Sequence, residues 1–568
     1  NEAIARGALE AGVGVASAYP GTPSSEVIAT LAEVATKQGL YVEWSINEKV
    51  AVEVAAAASL SGVRALAAMK QNGLNVAFDF LANIALTGVN KGLVLMVGDD
   101  PGGLSSTNEQ DSRHIAKILD LPLLEPTTFQ EAKDMTKWAF ELSEEISNVC
   151  MVRSVTRISH ARGNVVLGEL PAIEKHARFD TSKSYYGIAG VATRFHKKMH
   201  DMQKKISRMY EATHFNYYLG PEKPDLLIVT CGSGWLYSAE AVKILSLSKS
   251  VGILKLGTTW PLPIQFLRTH LIKAGRILVI EEIDAFLEAN LKEFVVDNMS
   301  GQSYMFFGKA SGHINPYGEI NVDSAINAIA GILGIDYRSR DRTYEEKCEE
   351  TAKHFVPPRG LQFCAGCPHR ATYWSIKDAL KMVGGDGVVA GDIGCYTMAL
   401  QPTGFSQVKT VHAMGSGMGL ASGLGKLDRF HFEQPVIAMC GDSTFFHAAI
   451  PALLNAVHNE ADVVLVILDN AGTAMTGFQP HPGVDRDAVN EVRQAIVIER
   501  LCGALGITVT VVDPYDIEAT RNTLLEVLGN KGKTRVVISR RECALIRAGR
   551  EGPVFSVKVD ANRCLGDQ

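Results

Sequence analysis

The sequence predicts a multi-domain α/β protein built on mainly parallel sheets. Two observations carry this expectation. Apolar strand candidates alternate with helical stretches in three separate blocks, the pattern of parallel sheets covered by helices. At 568 residues the chain also has room for roughly three or four domains of ~150 residues each. A hydrophobic share of 46% beside 21% charged residues is ordinary globular composition.

The first block runs from Ala3 to about Val155. Its strand candidates are "VGVASAY", "YVEWSI", "RALAAM", "GLVLMVG" and "VCMVRSV", with an Ala- and Val-rich helix from Glu48 to Leu60. Residues from about Arg162 to Gly220 are polar and Lys/His-rich, and read as a linker with a helix at His196 to Thr213. A second block holds "PDLLIVTCGSGW", "SVGILKLG" and "GRILVIEE". A charged connector from about Thr343 to Pro357 precedes the third block, Gly360 to about Asp560. That block's strands are "GVVAGDIG", "VIAMCGDS", "VVLVILDN" and "TRVVISRR". No internal repeat or low-complexity tract interrupts them.

Charge and hydropathy narrow the partners. A net charge of -6 gives no global case for nucleic acid. The basic run from Arg194 to Lys205, "RFHKKMHDMQKK", reads as a solvated helix face. No apolar run approaches the ~20 residues of a membrane span, and no signal-peptide pattern opens the chain. The expectation is therefore a cytoplasmic protein with neither a nucleic-acid nor a membrane partner.

The ten cysteines are not spaced as a secreted disulfide framework. Cys364 and Cys367 form C-x2-C, Cys395 lies in "GDIGC", Cys543 in "RRECAL", and Cys564 near the end. In a reducing compartment this pattern favours metal or redox chemistry. Cys150, Cys231, Cys348, Cys440 and Cys502 stand singly in apolar or helical surroundings and read as packed thiols.

The stretch "MCGDSTFFHAAIPALLNAVHNEADVVLVILDNAG" carries the next constellation. One strand ends at Gly441-Asp442, a helix follows, and a second strand ends at Asp469-Asn470. Parallel strands present both ends at one sheet edge, where α/β folds bind ligands. The Asp442 carboxylate and the Asn470 carbonyl oxygen would then lie side by side, next to a helix N-terminus. Such hard oxygen ligands suit Mg2+ carrying a diphosphate. The plainer reading is a pair of ordinary βα turns.

"GDS" with its later Asn470 resembles the thiamin diphosphate motif GDG…N. The resemblance implies that Asp442, Asn470 and the backbone carbonyl of Gly472 hold the metal, with Gly441 and Ser443 beside the diphosphate. Ser443 replaces the motif's third glycine; it is small and can still donate to a phosphate. Four cysteines flank this motif. Spacing alone leaves both a tetrahedral zinc and a [4Fe–4S] cluster open. The pattern is similar to the 2-oxoacid:ferredoxin oxidoreductases, which implies a proximal [4Fe–4S] cluster on Cys364, Cys367, Cys395 and Cys543. Cys502 is the competing fourth ligand.

"YPGTPSSEV" resembles a segment of pyruvate:ferredoxin oxidoreductases whose Thr contacts the substrate carboxylate, a role that would fall to Thr22. "SINEKVAVEVAAAASLSG" resembles the segment whose Glu hydrogen-bonds N1′ of the thiamin aminopyrimidine, which would be Glu48. Burial there should raise the Glu48 pKa and keep its proton available for sharing. Without the resemblance, Glu48 reads as a helix N-terminal acid. "SSTNEQDSR" and Lys70 are further candidates for binding the substrate carboxylate.

The narrower resemblance is to the α subunits of the indolepyruvate:ferredoxin oxidoreductase family. It runs through "YPGTPSSEV", "NEKVA", "GLNVAFD", "DDPGGLSSTNEQDSR", "CAGCPHR", "GDIGCYT" and "LDNAGTAMTGFQPHPG" in order. It implies two doubly wound thiamin-diphosphate-binding domains: a pyrimidine-binding domain at 1–160 and a diphosphate domain with the cluster at 343–560. A connector at 161–220 and a transketolase C-terminal-like α/β domain at 221–342 would separate them. Residues 561–568 would begin a ferredoxin-like domain, with Cys564 the first ligand of another [4Fe–4S] cluster.

The activity implied is oxidative decarboxylation of an aryl 2-oxoacid, with coenzyme A taking the acyl group and ferredoxin the electrons. The partner implied is a smaller β subunit in an α2β2 assembly. The loops walling the substrate pocket carry no motif, so another aromatic or branched 2-oxoacid and another electron acceptor stay open. So do a non-oxidative thiamin decarboxylase or carboligase and a non-catalytic scaffold subunit.

Overall fold

The computed structural model describes every residue except 174–175, 188–189, 300, 339, 357–359, 553–557, 561 and 564–568, with the backbone alone for residue 429. Cys564, and most of the expected start of a ferredoxin-like domain, therefore lie outside the described residues. The chain divides into two compact units, residues 1–357 and 358–568.

The first unit holds twelve described strands in two sheets. They are β1 (Val15–Ala18), β2 (Tyr41–Trp44), β3 (Ala65–Lys70), β4 (Leu93–Asp99), β5 (Leu123–Leu124), β6 (Cys150–Val155), β7 (Tyr217–Leu219), β8 (Leu226–Thr230), β9 (Val251–Lys255), β10 (Thr258–Trp260), β11 (Arg276–Ile280) and β12 (Met305–Phe307). One sheet has the order β10-β5-β6-β4-β3-β1-β2 and the other β12-β11-β8-β9-β7. Only β10 and β7 run antiparallel to their neighbours. The central strands β4, β6 and β8 are buried at every position. This is why they read as continuous apolar runs with no alternation.

Sequence patterning finds each of the longer strands and misses β5, β7, β10 and β12. These are two or three residues long, too short to show a period. The linker helix predicted at His196–Thr213 spans Ala192–Glu211. The charged connector forms a helix, Arg342–Phe355, with no buried residue. Cys348 lies on it and is exposed, so it is not the packed thiol expected. The helix's apolar side chains Tyr344 and Phe355 are exposed as well, so Cys348 has nothing to pack against in its own unit.

A buried charge network joins the two sheets of this unit. Arg113 grips Asp111 through Nε at 2.9 Å and Nη2 at 2.5 Å, and reaches Glu281 Oε2 at 2.8 Å. Arg153 pairs with Asp99 at 2.7 Å and Glu125 at 2.6 Å. Charges taken out of water this completely need partners of opposite sign. Asp111 and Arg113 of "SSTNEQDSR" are thus spent on structure and are not available to a substrate carboxylate.

The second unit holds one six-stranded sheet. Its strands are β13 (Val388–Ala390), β14 (Val408–Thr410), β15 (Val436–Gly441), β16 (Val463–Asp469), β17 (Val509–Val512) and β18 (Thr534–Arg540). The order is β14-β13-β15-β16-β18-β17, parallel throughout. Gly441 of β15 pairs with Leu468 of β16, so the two strands end together, and Asp442 and Asn470 follow at one edge. Among the described residues, no helix is long and apolar enough to cross a membrane.

Candidate functional site

The β15 and β16 ends form a buried polar pair. Asp442 opens the helical run after β15, and its Oδ1 accepts from the Ser443 N–H at 2.8 Å. Its Oδ2 accepts from the N–H groups of Asn470 at 3.1 Å and Gly472 at 3.3 Å. Burial pushes the carboxyl pKa up, but His481, with Nε2 3.1 Å from Oδ2, and the Ser443 N–H outweigh it and hold the group below its ordinary range. Asp442 is therefore ionised. Beside it the Asn470 Oδ1 is buried with no hydrogen-bond partner. A buried orphan acceptor requires an explanation, and a cation shared with the neighbouring carboxylate supplies one. Hard oxygens of this kind fit Mg2+. The turn at Ala471, with φ 63°, brings Gly472 back over Asp442, and Thr473 donates to Ser443 Oγ at 2.9 Å.

Four further residues complete this edge, and motif reading assigned none of them. His369, buried near the start of the helix Pro368–Met382, lies with Nε2 3.2 Å from Asn470 Nδ2. Burial lowers its pKa to about 4, against the pull of Asp442. His481 faces Asp442 from the loop after β16. Burial raises the Asp392 carboxyl to about 8, despite hydrogen bonds from the Tyr396 hydroxyl and the Gly415 N–H. The Tyr396 hydroxyl also lies 3.1 Å from Thr444 Oγ1. They lie in "CAGCPHR", "GDIGCYT" and "QPHPG", beside cysteines and glycines of more distinctive spacing.

Three of the four candidate cluster cysteines sit at helix starts. Cys367 caps Pro368–Met382, Cys395 opens the short turn Cys395–Leu400, and Cys543 caps Ala544–Glu551. The Cys367 N–H donates to the Cys364 carbonyl at 3.1 Å. Burial raises the Cys367 thiol, and Cys364 and Cys543 add to the shift. Cys395 is pushed up to about 12 by burial and then by Cys367, Cys543 and Cys364. The four sulfurs thus lie in one another's field. Among the described residues, however, no three of them fall within 4.8 Å of one another. Four thiols of one unit are donors that suit either a tetrahedral zinc or an iron–sulfur cluster. Cys502, the competing ligand, is fully buried among Ala438, Cys440 and Leu465. Its thiol is raised to about 11 by burial and by Glu499.

One backbone contact joins the two groups. The Cys543 N–H donates to the Asn470 carbonyl at 3.0 Å.

In the first unit, Thr22 and Glu48 follow the C-terminal ends of β1 and β2. Glu48 is buried, 5% exposed, and opens the helix Glu48–Leu60. That helix is capped by Asn47, whose Oδ1 accepts from the Val50 N–H at 2.9 Å. The Glu48 side chain lies over Gly73, where a Cβ would stand 2.5 Å from its Cγ and Oε1. Lys70 donates to the Ser105 carbonyl at 3.0 Å. Burial lowers its pKa, while Asp100 and Glu48 pull the other way. Gly21, next to Thr22, packs on the Lys70 stem. The polar loop 105–110 is laced to the helix Gln71–Thr87 through Gln71 and Ser106 at 3.1 Å, Asn72 and Asn108 at 2.7 Å, and Asn75 and Gln110 at 2.8 Å. This lacing is a scaffold role for part of "SSTNEQ".

Residues 6–214 match the family "Pyruvate flavodoxin/ferredoxin oxidoreductase, thiamine diP-bdg", and residues 392–538 match "Thiamine pyrophosphate enzyme, C-terminal TPP binding domain". The indolepyruvate oxidoreductase subunit IorA of Pyrococcus horikoshii is 40% identical over 587 residues, covering 100% of this chain and 89% of that one. The chain belongs to the indolepyruvate oxidoreductase IorA family. The IorA of Methanothermobacter marburgensis is likewise 40% identical, over 99% of this chain and 89% of its own. The 2-oxoglutarate synthase subunit KorA of Archaeoglobus fulgidus is more distant, at 26% over 50% of this chain and 86% of its own. Among solved structures, a 2-oxoglutarate:ferredoxin oxidoreductase from Magnetococcus marinus aligns with a TM-score of 0.46 at 16% identity. It covers 58% of this chain and 64% of that one, too loose a likeness to carry residue roles.

This IorA-family chain is therefore an oxidoreductase subunit with thiamin-diphosphate-binding domains. Its second unit brings Asp442, Asn470 and Gly472 together and gathers Cys364, Cys367, Cys395 and Cys543. Its first unit holds Glu48 over Gly73. That packing makes a direct prediction. Gly73→Ala must displace the Glu48 carboxylate, so 2-oxoacid oxidation should fall at least about tenfold, since small misplacements near reacting groups cost that much or more. The far-ultraviolet circular dichroism spectrum should stay unchanged. Unaltered turnover would show that the Glu48 position is unimportant.

Proposed function

We propose that this chain is the catalytic subunit of an enzyme that oxidises an aryl 2-oxoacid of the indolepyruvate kind. The balance is 2-oxoacid, coenzyme A and two oxidised ferredoxins to acyl-CoA, CO2, a proton and two reduced ferredoxins. Asp442, Asn470 and the Gly472 carbonyl would hold Mg2+ on thiamin diphosphate, with Gly441 and Ser443 beside the phosphates. Cys364, Cys367, Cys395 and Cys543 would hold a [4Fe–4S] cluster. When bound, thiamin diphosphate supplies the electron sink for decarboxylation and the cluster carries electrons away one at a time.

The chain's own residues would do the rest. Glu48 would hold a proton at N1′ of the aminopyrimidine. Thr22 would orient the substrate carboxylate, with Lys70 as a nearby cation. A smaller β subunit in an α2β2 assembly fits a chain whose relatives are named as subunits.

The observation that carries this reading is the Cys543 N–H bonded to the Asn470 carbonyl. It supports the reading by tying Cys543, one of the four candidate cysteines, to Asn470 beside Asp442. A decarboxylase without redox chemistry needs only the Asp–Asn pair. The test is anaerobic co-purification with the partner subunit, followed by iron, zinc and thiamin analysis and dye-reduction assays over a panel of 2-oxoacids. The expected result is four or more irons per chain, bound thiamin diphosphate, and fastest turnover with aryl substrates. Zinc in place of iron, with no thiamin, would overturn the reading. Preference for another 2-oxoacid would overturn only the substrate.

A further inference from the structure

We propose that His369 is a positioning residue that fixes the orientation of the Asn470 amide, so that its oxygen is the atom presented to the cation. The inference deepens the preceding reading and rests on it. It comes from accounting for every polar group of Asn470. The backbone N–H donates to Asp442 Oδ2 at 3.1 Å. The backbone carbonyl accepts from the Cys543 N–H at 3.0 Å. The side-chain Nδ2 lies 3.2 Å from His369 Nε2. Only Oδ1 is left, buried and without a partner.

An amide group has two orientations of nearly the same shape, and its environment must choose between them. Nδ2 can only donate, so the atom facing it must accept. A ring nitrogen that carries no proton supplies such a lone pair, and His369 Nε2, 3.2 Å from Nδ2, is placed to offer it. With Nδ2 held on His369, Oδ1 is the amide atom left to meet a cation. A ligand set oriented in advance binds its metal more tightly than one that must turn on binding.

Filling the same volume with an apolar side chain would avoid burying a ring nitrogen, which costs free energy unless it is hydrogen-bonded. His369 also lies two residues beyond Cys367 and one beyond Pro368, at the start of a helix. Asn470 is thereby held from two cysteine-bearing segments, through His369 on one side and Cys543 on the other.

The test uses the enzyme co-purified with its partner subunit and stripped of thiamin diphosphate and divalent metal. Calorimetric titration with thiamin diphosphate at fixed Mg2+ reads affinity without requiring turnover. His369→Leu should weaken binding about 10–100-fold, the usual cost of losing an outer-shell partner. His369→Gln, whose Oε1 can accept from Asn470 Nδ2, should bind close to wild type. Thermal midpoints and iron content confirm that both variants are folded. Wild-type affinity in His369→Leu would overturn the inference and leave the preceding reading intact. Equal losses in both variants would also overturn it, because volume alone would then explain the effect. A wild-type enzyme that binds no thiamin diphosphate would bring down both together.

Discussion

Cys543→Ala should strip the proximal cluster and stop 2-oxoacid-dependent dye reduction, whereas Cys502→Ala should leave both intact. The contrast follows from where the two thiols sit. Cys543 acts electrostatically on both Cys367 and Cys395. Cys502 packs in the core on the helix Ile498–Ala504, with Glu499 as the charged group acting on its thiol. Loss of an outer-shell partner costs a metal site about 10–100-fold, and loss of a direct ligand should cost at least the upper end of that range in cluster retention. Low-temperature electron paramagnetic resonance of the dithionite-reduced enzyme, with iron counted on the same sample, reads it directly. Cys502→Ala removes one buried sulfur and should cost only about 1 kcal/mol of stability. If the two outcomes were exchanged, the fourth ligand would be Cys502 and the cluster would have to sit elsewhere.

The ease with which this unit could be read in the sequence has a physical basis. β15 and β16 are apolar strands, buried up to Gly441 and Leu468, that run into Asp442 and Asn470, so period and chemistry change together. The four cysteines stand out because their spacing is distinctive. His369 and His481 could not be singled out, because a lone histidine gains its role from what packs against it. His369 meets the site through Asn470, about a hundred positions away, and His481 through Asp442. Asp392 shows the same limit: its place beside Tyr396 and Gly415 arises from tertiary packing, while its neighbour Cys395 announced itself by type. The polar segment "SSTNEQDSR" shows the converse limit. Its residues look free in sequence, but the fold spends Arg113 on Asp111 and Glu281 and laces Asn108 and Gln110 to a helix. β10 was hidden for another reason: three residues carry no period, and the strand joins a sheet built from a different stretch of chain.

Glu48→Gln should lower kcat by about 10²–10⁴-fold, the range expected when a positioned acid–base group is removed, while thiamin diphosphate content stays at the wild-type level. Glutamine keeps the shape of the side chain, so it fits in the space above Gly73 that admits no Cβ. The helix cap is also untouched, since Asn47 provides it. What the amide cannot do is share a proton with a ring nitrogen. Binding and turnover should therefore separate, with retained cofactor and a slow chemical step. The measurement is kcat with ferredoxin or a viologen as acceptor, beside thiamin content on the same preparation. A scaffold subunit whose chemistry lay in its partner would show full turnover in this variant. A variant that lost thiamin diphosphate as well would point instead to a structural carboxylate, with the Glu48–Gly73 contact serving only to pack the helix. Gly73→Ala sharpens the distinction, because it moves the carboxylate without removing it. The proton-holding role predicts that both substitutions slow turnover and neither empties the cofactor site.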